Sequence, residues 1–545
     1  MSQAPTGHAG QQGAATPPPA PPAGKAVPPA ALSVTPSRGQ RWALRAARFA
    51  PAAIPALVMT GLGIWGLARQ SSMGNDEVAT RWAALLSLGQ LAHLLNTVDA
   101  VHGLYYLLMH AWVAVGTSPA VIRIPSVAAM AVAVALVSVL ARRLTRSGWT
   151  GLFAGMVVAL TPVISFYAQT ARSYAMVFAC VAGMTLVLVR VLEAEAASVS
   201  RAVIVRRWVA YGVLTALAGY LNEMSLLVLA AHAVTVALAR PGRRVTVHWA
   251  VTSAVGAALV LPLVAVSVRE HAAVAWIPRP GLTDLRILSQ DYFAVAPVVA
   301  LLLVACAVVA VVPTGRSAAQ QWWRSGGVSV PSVAAPLLVV PAGLLLAESL
   351  VASPLYVDRY VLYGEAGAAL LAAAGMYRVG RWLGRPGRLH LLVWVPGVAV
   401  CVCVLVLQIA PQQRVRTPQS RAYDFGSPAR YVKTYAQPGD GVLFFGTFFR
   451  KARLGYPGDF KKVKDFSMSE SPQQAGDFRG RSMPAAQADP LMLTYRRVWT
   501  VGYQPSTALS NSSLGTETLF LEEHFHLVRK HAFRGIFVTL WARRS

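Results

Sequence analysis

The sequence predicts an α-helical polytopic membrane protein with about 11 transmembrane helices, interfacial helices and a small C-terminal extracytoplasmic α/β domain. Of its 545 residues, 55% are hydrophobic and 13% are charged, whereas roughly 25% of the residues of a soluble protein are charged. Apolar runs of membrane length recur between residues 51 and 409. After about residue 410 charged residues return, and Gly, Pro, Asp and Ser interrupt the chain.

The composition predicts three regions. Residues 1–45 are rich in Pro and Ala, which predicts a disordered cytoplasmic tail. They lack the compact charged and apolar segments of a signal peptide, so we expect the first span to be retained. Residues 46–410 contain the transmembrane helices, and residues 411–545 form the C-terminal domain.

The net charge of +27 does not indicate a nucleic-acid partner, because the arginines lie in short loops between apolar runs. That pattern is typical of contact with membrane lipids. The four cysteines all fall in apolar runs, and their spacing fits neither a disulfide framework nor a zinc site. They are Cys180, Cys306, Cys401 and Cys403.

Eleven apolar runs are candidate spans. They lie near residues 51–68, 124–141, 150–167, 175–192, 209–221, 225–239, 248–267, 293–313, 331–351, 360–377 and 390–409. The fifth and sixth are short, and a break is expected around Asn222 and Glu223. Arginines precede the first run and follow every second one. The positive-inside rule therefore predicts a plasma-membrane protein with a cytoplasmic N-terminus and an extracytoplasmic C-terminus.

Residues 101–116 test this topology. They are apolar enough to suggest a span, but a full crossing would place every later basic loop outside. They are also short and contain two histidines and two tyrosines. We therefore expect an interfacial or re-entrant helix here.

The first external loop, residues 69–123, is the most polar part of the membrane region. It contains Asp76, Glu77, Asp99, His102, Tyr105 and Tyr106. Between the acids, apolar residues recur at Val78, Trp82, Leu85, Leu88, Ala92 and Leu95. This spacing predicts an amphipathic helix on the membrane surface, with Asn75 as its N-cap. The simpler interpretation of Asp76 and Glu77 is that two acids complement a helix dipole.

The C-terminal region alternates strand and helix patterns, which predicts an α/β domain. Strands are expected at 441–445, 497–501 and 535–541, and helices at 428–435 and 516–523. Residues 446–490 are rich in Lys, Gly, Ser and Pro, and we expect them to form a long mobile loop.

Two arginines depart from the positive-inside rule. Arg172 and Arg359 fall on the predicted outer side, where basic residues are scarce. Anchoring at the membrane interface is the simpler interpretation of any single polar residue there. A guanidinium can also bind a phosphate by two parallel hydrogen bonds, and a lipid phosphate lies at that depth.

A carboxylate beside a bound lipid phosphate indicates a transferase. The acid takes a proton from an acceptor hydroxyl, and the oxygen attacks a sugar carbon while the lipid phosphate leaves. The sequence shows no glycine-rich phosphate loop of the Rossmann or P-loop type, which is consistent with a donor carried on a lipid.

The order of these motifs resembles the GT-C superfamily of polyprenyl-phosphate-sugar-dependent glycosyltransferases, in its protein-mannosyltransferase and aminoarabinose-transferase-like branch. The matching segments are Asp76-Glu77, Asp99 with His102-Gly103-Leu104-Tyr105-Tyr106, Ala168-Gln169-Thr170-Ala171-Arg172-Ser173-Tyr174-Ala175, and Arg359-Tyr360-Val361-Leu362-Tyr363. The chain departs from the pattern at Gly103, Thr170 and Tyr363, where that branch has Pro, Glu and Pro. The resemblance covers residues 50–410.

The resemblance implies an inverting transferase. Asp76 would be the base, assisted by Glu77 or Asp99. The donor phosphate would be bound by Arg172, Arg359 and Tyr174, and the substrates by His102, Tyr105, Tyr106 and Gln169. The donor would carry mannose or a pentose on a polyprenyl phosphate, and the acceptor would be an envelope glycan, lipid or protein.

Two further expectations concern the acids. Glu77 and Asp99 are like charges near Asp76, which predicts a raised pKa and a stronger base. Some superfamily members need a divalent cation and others do not. Asp99 and His102 are the candidate ligands, but two ligands do not make a site.

Two other classes of protein remain open from the sequence. A transporter or flippase for a lipid-linked substrate needs charged residues inside its spans, and these spans are almost free of them. A non-catalytic scaffold that binds an envelope polymer would tolerate replacement of Asp76.

Overall fold

The computed structural model describes residues 38–68, 72–194, 200–270, 274–312, 327–384, 392–504 and 513–544. Most of the predicted tail, residues 1–37, lies outside them, and the chain is helical from Arg38. Contacts divide the chain into Met1–Ala47 and Arg48–Ser545. The elements that position the candidate site all belong to the second unit.

Helices dominate residues 38–414. They are α1 (Arg38–Ile64), α2 (Asn75–Leu85), α3 (Leu88–Leu95), α4 (Gly103–Trp112), α5 (Pro119–Thr145), α6 (Gly148–Leu160), α7 (Pro162–Ala168), α8 (Tyr174–Ala194), α9 (Arg201–Leu221), α10 (Val228–Ala239), α11 (Arg243–Ala258), α12 (Leu261–Arg269), α13 (Leu282–Tyr292), α14 (Pro297–Val311), α15 (Val330–Val351), α16 (Glu365–Leu383) and α17 (Val395–Arg414). Short 3₁₀ segments cover Ala100–His102, Glu223–Leu227 and Asp358–Gly364.

Among the described residues, five helices are long and apolar enough to cross a membrane: α5, α8, α9, α15 and α17. Three bent pairs, α6 with α7, α11 with α12 and α13 with α14, raise the number to eight if each pair is one span. The chain is thus a multi-pass membrane protein, and the expected total of about 11 spans stays a prediction.

Two of the bends follow from proline. Thr161 and Ala296 each precede a proline and are extended, with ψ of 124° and 118°, because the proline ring disfavours a helical conformation of the residue before it. The α6–α7 and α13–α14 pairs bend there by 70° and 73°. The predicted break near Asn222 is also confirmed: Asn222 is extended and its side chain caps the next 3₁₀ segment.

The predicted amphipathic helix is two helices. Helix α2 ends at Leu85, and Ser87 caps α3 through reciprocal hydrogen bonds with Gln90. The interruption rotates the apolar face, so Leu88 is 60% exposed. Leu91 and Leu94 are buried in its place. The predicted face is buried at Val78 and Trp82, but Leu85 at the end of α2 is 48% exposed. The N-cap of α2 is Gly74 rather than Asn75.

Helix α4, within residues 101–116, is shorter than a full membrane span. It has ten residues, which is about 15 Å at the α-helical rise against a hydrocarbon thickness of about 30 Å. Its Tyr105 and Tyr106 are buried and its contacts include α2 and α9.

The C-terminal region has five helices and seven strands among its described residues. The helices are α18 (Gly426–Tyr435), α19 (Lys451–Gly455), α20 (Pro472–Ala475), α21 (Ala485–Met492) and α22 (Ser513–His524). The strands are β1 (Asp440–Phe445), β2 (Val463–Asp465), β3 (Met468–Glu470), β4 (Arg481–Ser482), β5 (Arg497–Gly502), β6 (Phe525–Phe533) and β7 (Ile536–Arg543).

Five strands form one mixed sheet in the order β2-β1-β5-β7-β6. Strand β1 is parallel to β2 and β5, and β7 is antiparallel to β5 and β6. The predicted strands β1, β5 and β7 are confirmed. Strand β6 was not predicted, because it is an edge strand whose residues are nearly all exposed and therefore lack the alternation that marks a half-buried strand.

The expectation of a mobile loop over residues 446–490 is wrong. Those residues contain α19, α20, β2, β3 and β4, and Phe449, Phe460 and Phe478 are buried among them. The sequence suggested a loop because Gly, Pro and Ser cap many short elements there, and a short element shows no clear periodicity.

Close helix packing in the membrane region gives a stability prediction. A Cβ on Gly375 of α16 would lie 1.8 Å from the carbonyl oxygen of Cys306 in α14, so those two helices touch through their backbones. Gly375→Ala should therefore lower stability by about 1–3 kcal/mol, as overpacking does, in thermal unfolding of the detergent-purified protein.

Gly343 of α15 is the matched control, because a Cβ there meets nothing within 4 Å. Gly343→Ala should leave the melting temperature unchanged or raise it. Equal melting temperatures for both variants would contradict the packing of α14 against α16.

Candidate active site

Arg172 lies between two acids at one end of the helix bundle. Its Nε is 3.9 Å from Oδ2 of Asp76, in the first turn of α2, and its Nη2 is 4.0 Å from Oδ2 of Asp99. Arg172 is 7% exposed, whereas the Asp76 and Asp99 side chains are 29% and 21% exposed. The acids therefore face an opening, and the cation lies beneath them.

Tyr106 fixes this arrangement. Its hydroxyl donates to Asp99 at 2.7 Å and accepts from Nη1 of Arg172 at 2.9 Å. Asp99 adopts a left-handed backbone conformation with φ of 61°, which costs a non-glycine residue some strain. That conformation ends the segment after α3 and lets Asp99 meet the tyrosine seven residues later.

Arg359 is the second cation. It lies in the 3₁₀ segment after α15, and its Nε donates to the hydroxyl of Tyr174 at 2.9 Å. Its guanidinium is also 5.8 Å from the ring centroids of Tyr174 and Trp276. These rings stabilise the cation by cation–π contact and hold it near Asp76, on which its charge acts.

Lys451 is a third cation, which the sequence analysis did not find. It begins α19 and is 8% exposed. Its Nζ donates to Oδ1 of Asn75 at 2.6 Å, and the amide of Asn75 donates to Asp76 at 3.1 Å. No spacing motif could have identified it, because it lies 375 positions beyond Asp76 in the segment expected to be a loop.

Glu77 does not join Asp76 at the opening. Its oxygens accept from Nε and Nη2 of Arg123 at 2.7 and 2.8 Å, and from the backbone N–H groups of Gly74 and Ala171 at 3.1 Å each. It is 1% exposed. Its hydrogen-bonding capacity is used within the protein, so the simpler interpretation of an acid that stabilises a helix start describes Glu77 better than Asp76.

Gln169, which was expected to bind substrate, lies inside the protein. Gln169 is fully buried, and its amide donates to the carbonyl oxygens of Gly63 and Trp65 at 2.9 and 2.8 Å. It joins the α7–α8 loop to the end of α1. Arg421, which the sequence analysis missed, holds the same loop through Thr170 and the Gln169 carbonyl oxygen.

The remaining predicted substrate residues differ in access. Tyr105 is fully buried. The His102 ring lies 5.9 Å from that of Tyr106, and its buried Nδ1 makes no hydrogen bond to a described residue. Burial and the charge of Arg172 lower the pKa of His102 to about 4, so this imidazole is neutral at pH 7.

Asp99 and His102 are not joined by a third candidate ligand among the described residues. Within the described part of the chain, no group of three or more His, Cys, Asp or Glu side chains is placed to hold a metal ion. Asp99, the predicted ligand, instead accepts from Tyr106 and lies beside Arg172.

The expected raised pKa of Asp76 is also wrong. Burial raises the pKa of this carboxyl, but the positive charges of Arg172, Arg359 and Lys451 outweigh it and lower the pKa to about 2. The pKa of Asp99 is lowered as well: burial opposes the shift, and His102 and Arg172 cause it. The sequence places other acids near Asp76, whereas the structure places cations closer to it than those acids.

No family model and no curated protein matches the chain. Among solved structures it is similar to ArnT of Cupriavidus metallidurans bound to undecaprenyl phosphate, at 12% identity and a TM-score of 0.53, covering 89% of this chain and 97% of that one. The apo state of ArnT gives 12% identity, the same coverages and a TM-score of 0.55.

The archaeal oligosaccharyltransferase AglB of Archaeoglobus fulgidus, in complex with an inhibitory peptide and a dolichol-phosphate, matches at 11% identity. Its TM-score of 0.47, over 92% of this chain and 75% of that one, is too low to carry an argument. ArnT, an aminoarabinose transferase, is a member of the GT-C superfamily. The chain therefore has the fold of ArnT, as the resemblance of its motifs to that branch predicted.

The two neighbouring acids give different stability predictions. Glu77→Gln would leave the fully buried charge of Arg123 without its carboxylate. Breaking a buried ion pair costs about 3–5 kcal/mol, so the melting temperature and the membrane expression level should fall.

Asp76→Asn removes the same charge from the adjacent, partly exposed residue. It should lower both quantities less than Glu77→Gln does, because this carboxylate is partly exposed and its charge interactions are weakened by solvent. A Glu77→Gln protein as stable as Asp76→Asn in thermal unfolding would contradict the assignment of Glu77 to the fold.

Proposed function

We propose that the protein is a membrane glycosyltransferase that transfers a sugar from a polyprenyl-phosphate donor to a hydroxyl of an extracytoplasmic acceptor, with inversion. The observation that carries this proposal is the position of Arg172 beneath Asp76 and Asp99, with Arg359 beside it. Cations that surround a partly exposed acid can bind the leaving phosphate while the acid receives a proton. The GT-C fold supports the same class of reaction.

The donor phosphate binds Arg172 and Arg359. The buried Nε of Arg172 makes no hydrogen bond to a described residue, so it is available to a phosphate oxygen beside its contact with Tyr106. Tyr174 holds Arg359. Lys451 adds positive charge behind Asp76, and a compact ammonium attracts a phosphate without requiring a fixed geometry.

Asp76 is the general base. It takes the proton of the acceptor hydroxyl, the acceptor oxygen forms a bond to the anomeric carbon, and the bond from that carbon to the phosphate oxygen breaks. The electron pair leaves with the polyprenyl phosphate, whose charge Arg172 and Arg359 stabilise. Attack on the face opposite the leaving phosphate inverts the configuration.

Because the pKa of Asp76 is low, the donor must bind before Asp76 can act as the base. The arginines lower the pKa while no phosphate is bound, and a carboxyl of pKa about 2 is a weak proton acceptor. A bound phosphate neutralises those arginines and adds negative charge nearby, both of which raise the pKa of Asp76. Donor binding therefore strengthens the base, and Asp99, held by Tyr106, keeps Arg172 in place.

The donor sugar is mannose or a pentose, and the acceptor is an envelope glycan, lipid or protein. The protein resides in the plasma membrane with about 11 spans, a cytoplasmic N-terminus and the C-terminal α/β domain outside. The arginine distribution supports this orientation, because the cluster around Arg142, Arg143 and Arg146 lies at the end of α5 opposite the acids.

Membranes that contain the protein should transfer label from radiolabelled polyprenyl-phosphate mannose or arabinose to an endogenous acceptor. Asp76→Asn keeps shape and polarity but removes the base, so the transfer rate should fall about a hundredfold or more at matched expression. Binding of the donor should be retained. Identification of the labelled product gives the acceptor class.

Asp99→Asn is the comparison variant. It disturbs the Tyr106–Arg172 arrangement without removing the base, so it should weaken donor binding more than Asp76→Asn does. Wild-type transfer by Asp76→Asn would contradict the base assignment. Transfer from neither donor would exclude both sugars.

The titration of Lys451 should make donor binding depend on pH. Burial lowers the pKa of Lys451 to about 8, against the opposing effect of Asp99 and Asp76. Its charge is therefore present below pH 8 and lost as the pH rises through that value. The KM for the donor should rise above pH 8 in the wild type.

Lys451→Arg should abolish that rise, because a guanidinium stays charged. Lys461→Arg makes the same substitution at an exposed site and should keep the wild-type profile. A donor KM that rises equally above pH 8 in Lys451→Arg would show that another group titrates.

A further inference from the structure

A second polar site lies at the opposite end of the helix bundle from Asp76. Helix α8 begins at Tyr174, which contacts Arg359, and approaches its far end at Leu192. At 1.5 Å per residue this is about 27 Å, close to the hydrocarbon thickness of about 30 Å. The two ends of α8 therefore lie at opposite surfaces of a membrane.

A cavity of about 1010 Å³ opens at this far end, where α5, α8 and α10 finish. Its basic lining residues are Arg142, Arg143, Arg146, Arg190 and Arg240. Among the described lining residues the single acid is Glu193, whose Oε2 lies 2.5 Å from Nε of Arg143. The lining therefore has a strong excess of positive charge, as a site for an anion requires.

The fold fixes the backbone at several of these arginines. Arg146 and Arg240 are the C-caps of α5 and α10, and both have positive φ, 55° and 51°. The carbonyl oxygen of Arg190 accepts from Arg207 at 2.7 Å, which joins the end of α8 to α9. Helix C-termini favour cations, but that accounts for arginines at each end separately, not for a shared cavity.

The remaining lining is apolar. Phe49, Pro51, Val139, Leu144 and Leu192 border the cavity beside the arginines. A site lined by both guanidinium groups and apolar side chains suits a phosphate ester, because guanidinium binds phosphate by paired hydrogen bonds. An acyl chain could lie against the apolar wall.

We propose that this cavity binds a phosphate-bearing anion at the membrane surface opposite the candidate active site. The headgroup of an anionic phospholipid and a soluble phosphate share this chemistry. The site is separate from the transferase site, so its test uses binding and does not depend on the proposed reaction.

The test titrates full-length detergent-purified protein with phosphatidylglycerol, phosphatidylcholine or inorganic phosphate and counts bound molecules by native mass spectrometry. Phosphatidylglycerol should bind in preference to phosphatidylcholine. The double variant Arg146→Gln/Arg190→Gln loses two charge-assisted contacts, so its affinity for phosphatidylglycerol should fall about tenfold or more.

The matched control is Arg206→Gln/Arg244→Gln. These exposed arginines lie near the start of α9 and α11, at the same end of the bundle, and do not line the cavity. The control should bind phosphatidylglycerol like wild type. Equal loss in both double variants would overturn the proposal, because it would show only general attraction of anionic lipid to basic loops.

Competition distinguishes the two sources of the phosphate group. If inorganic phosphate binds with the same dependence on Arg146 and Arg190 and displaces the lipid, the cavity takes a soluble phosphate. If it does not displace phosphatidylglycerol, the lipid headgroup is the ligand. Unchanged binding of both ligands in Arg146→Gln/Arg190→Gln would overturn the proposal.

Hydrogen exchange of the wild-type protein gives a test without variants, should the double variant fail to fold. Bound phosphatidylglycerol should slow exchange at the ends of α5 and α8, near residues 142–146 and 190–194. It should not slow exchange at 243–247. Equal protection of both regions, or protection of neither, would contradict the proposed site.

Discussion

The buried carboxylate of Glu77 is the contact on which the candidate site depends. It pairs with Arg123 of α5, lies 3.6 Å from Arg421, and accepts from the backbone of the α7–α8 loop at Ala171. One carboxylate thus joins α2, α5, the α7–α8 loop and the start of the C-terminal region. A buried charge needs partners, and meeting that need sets the positions of the elements that carry Asp76 and Arg172.

The position of Asp76 follows from its neighbour. Because Glu77 turns inward to the guanidinium groups, the preceding residue on the helix lies at the edge of the opening, where 29% of its side chain is exposed. Two adjacent acids in one motif therefore have different tasks. Glu77 holds the fold together, and Asp76 is left in contact with solvent and with the cations that lower its pKa.

The sequence predicted what depends on local pattern. The strands β1, β5 and β7 alternate or run apolar, the break at Asn222 interrupts a hydrophobic run, and helix α4 has only ten residues. Arg172 and Arg359 were identified because they oppose the charge rule, and the structure brings both close to Asp76.

Contacts between distant parts of the chain could not be predicted. Lys451 and Arg421 reach the site from beyond the transmembrane region, and one sequence contains no signal that pairs them with residues 75–77. The predicted direction of the Asp76 pKa shift was wrong for the same reason. It depends on distances to Arg172, Arg359 and Lys451, and those distances arise only from the fold.

The central claim is that bound donor phosphate raises the pKa of Asp76. The pH profile of kcat/KM reports the free enzyme and that of kcat reports the donor complex, so sugar transfer measured from pH 4 to pH 8 tests the claim directly. Within this range kcat should fall towards low pH, whereas kcat/KM for the donor should show no acidic limb from Asp76, whose pKa in the free enzyme is about 2. Coincident acidic limbs would contradict the account.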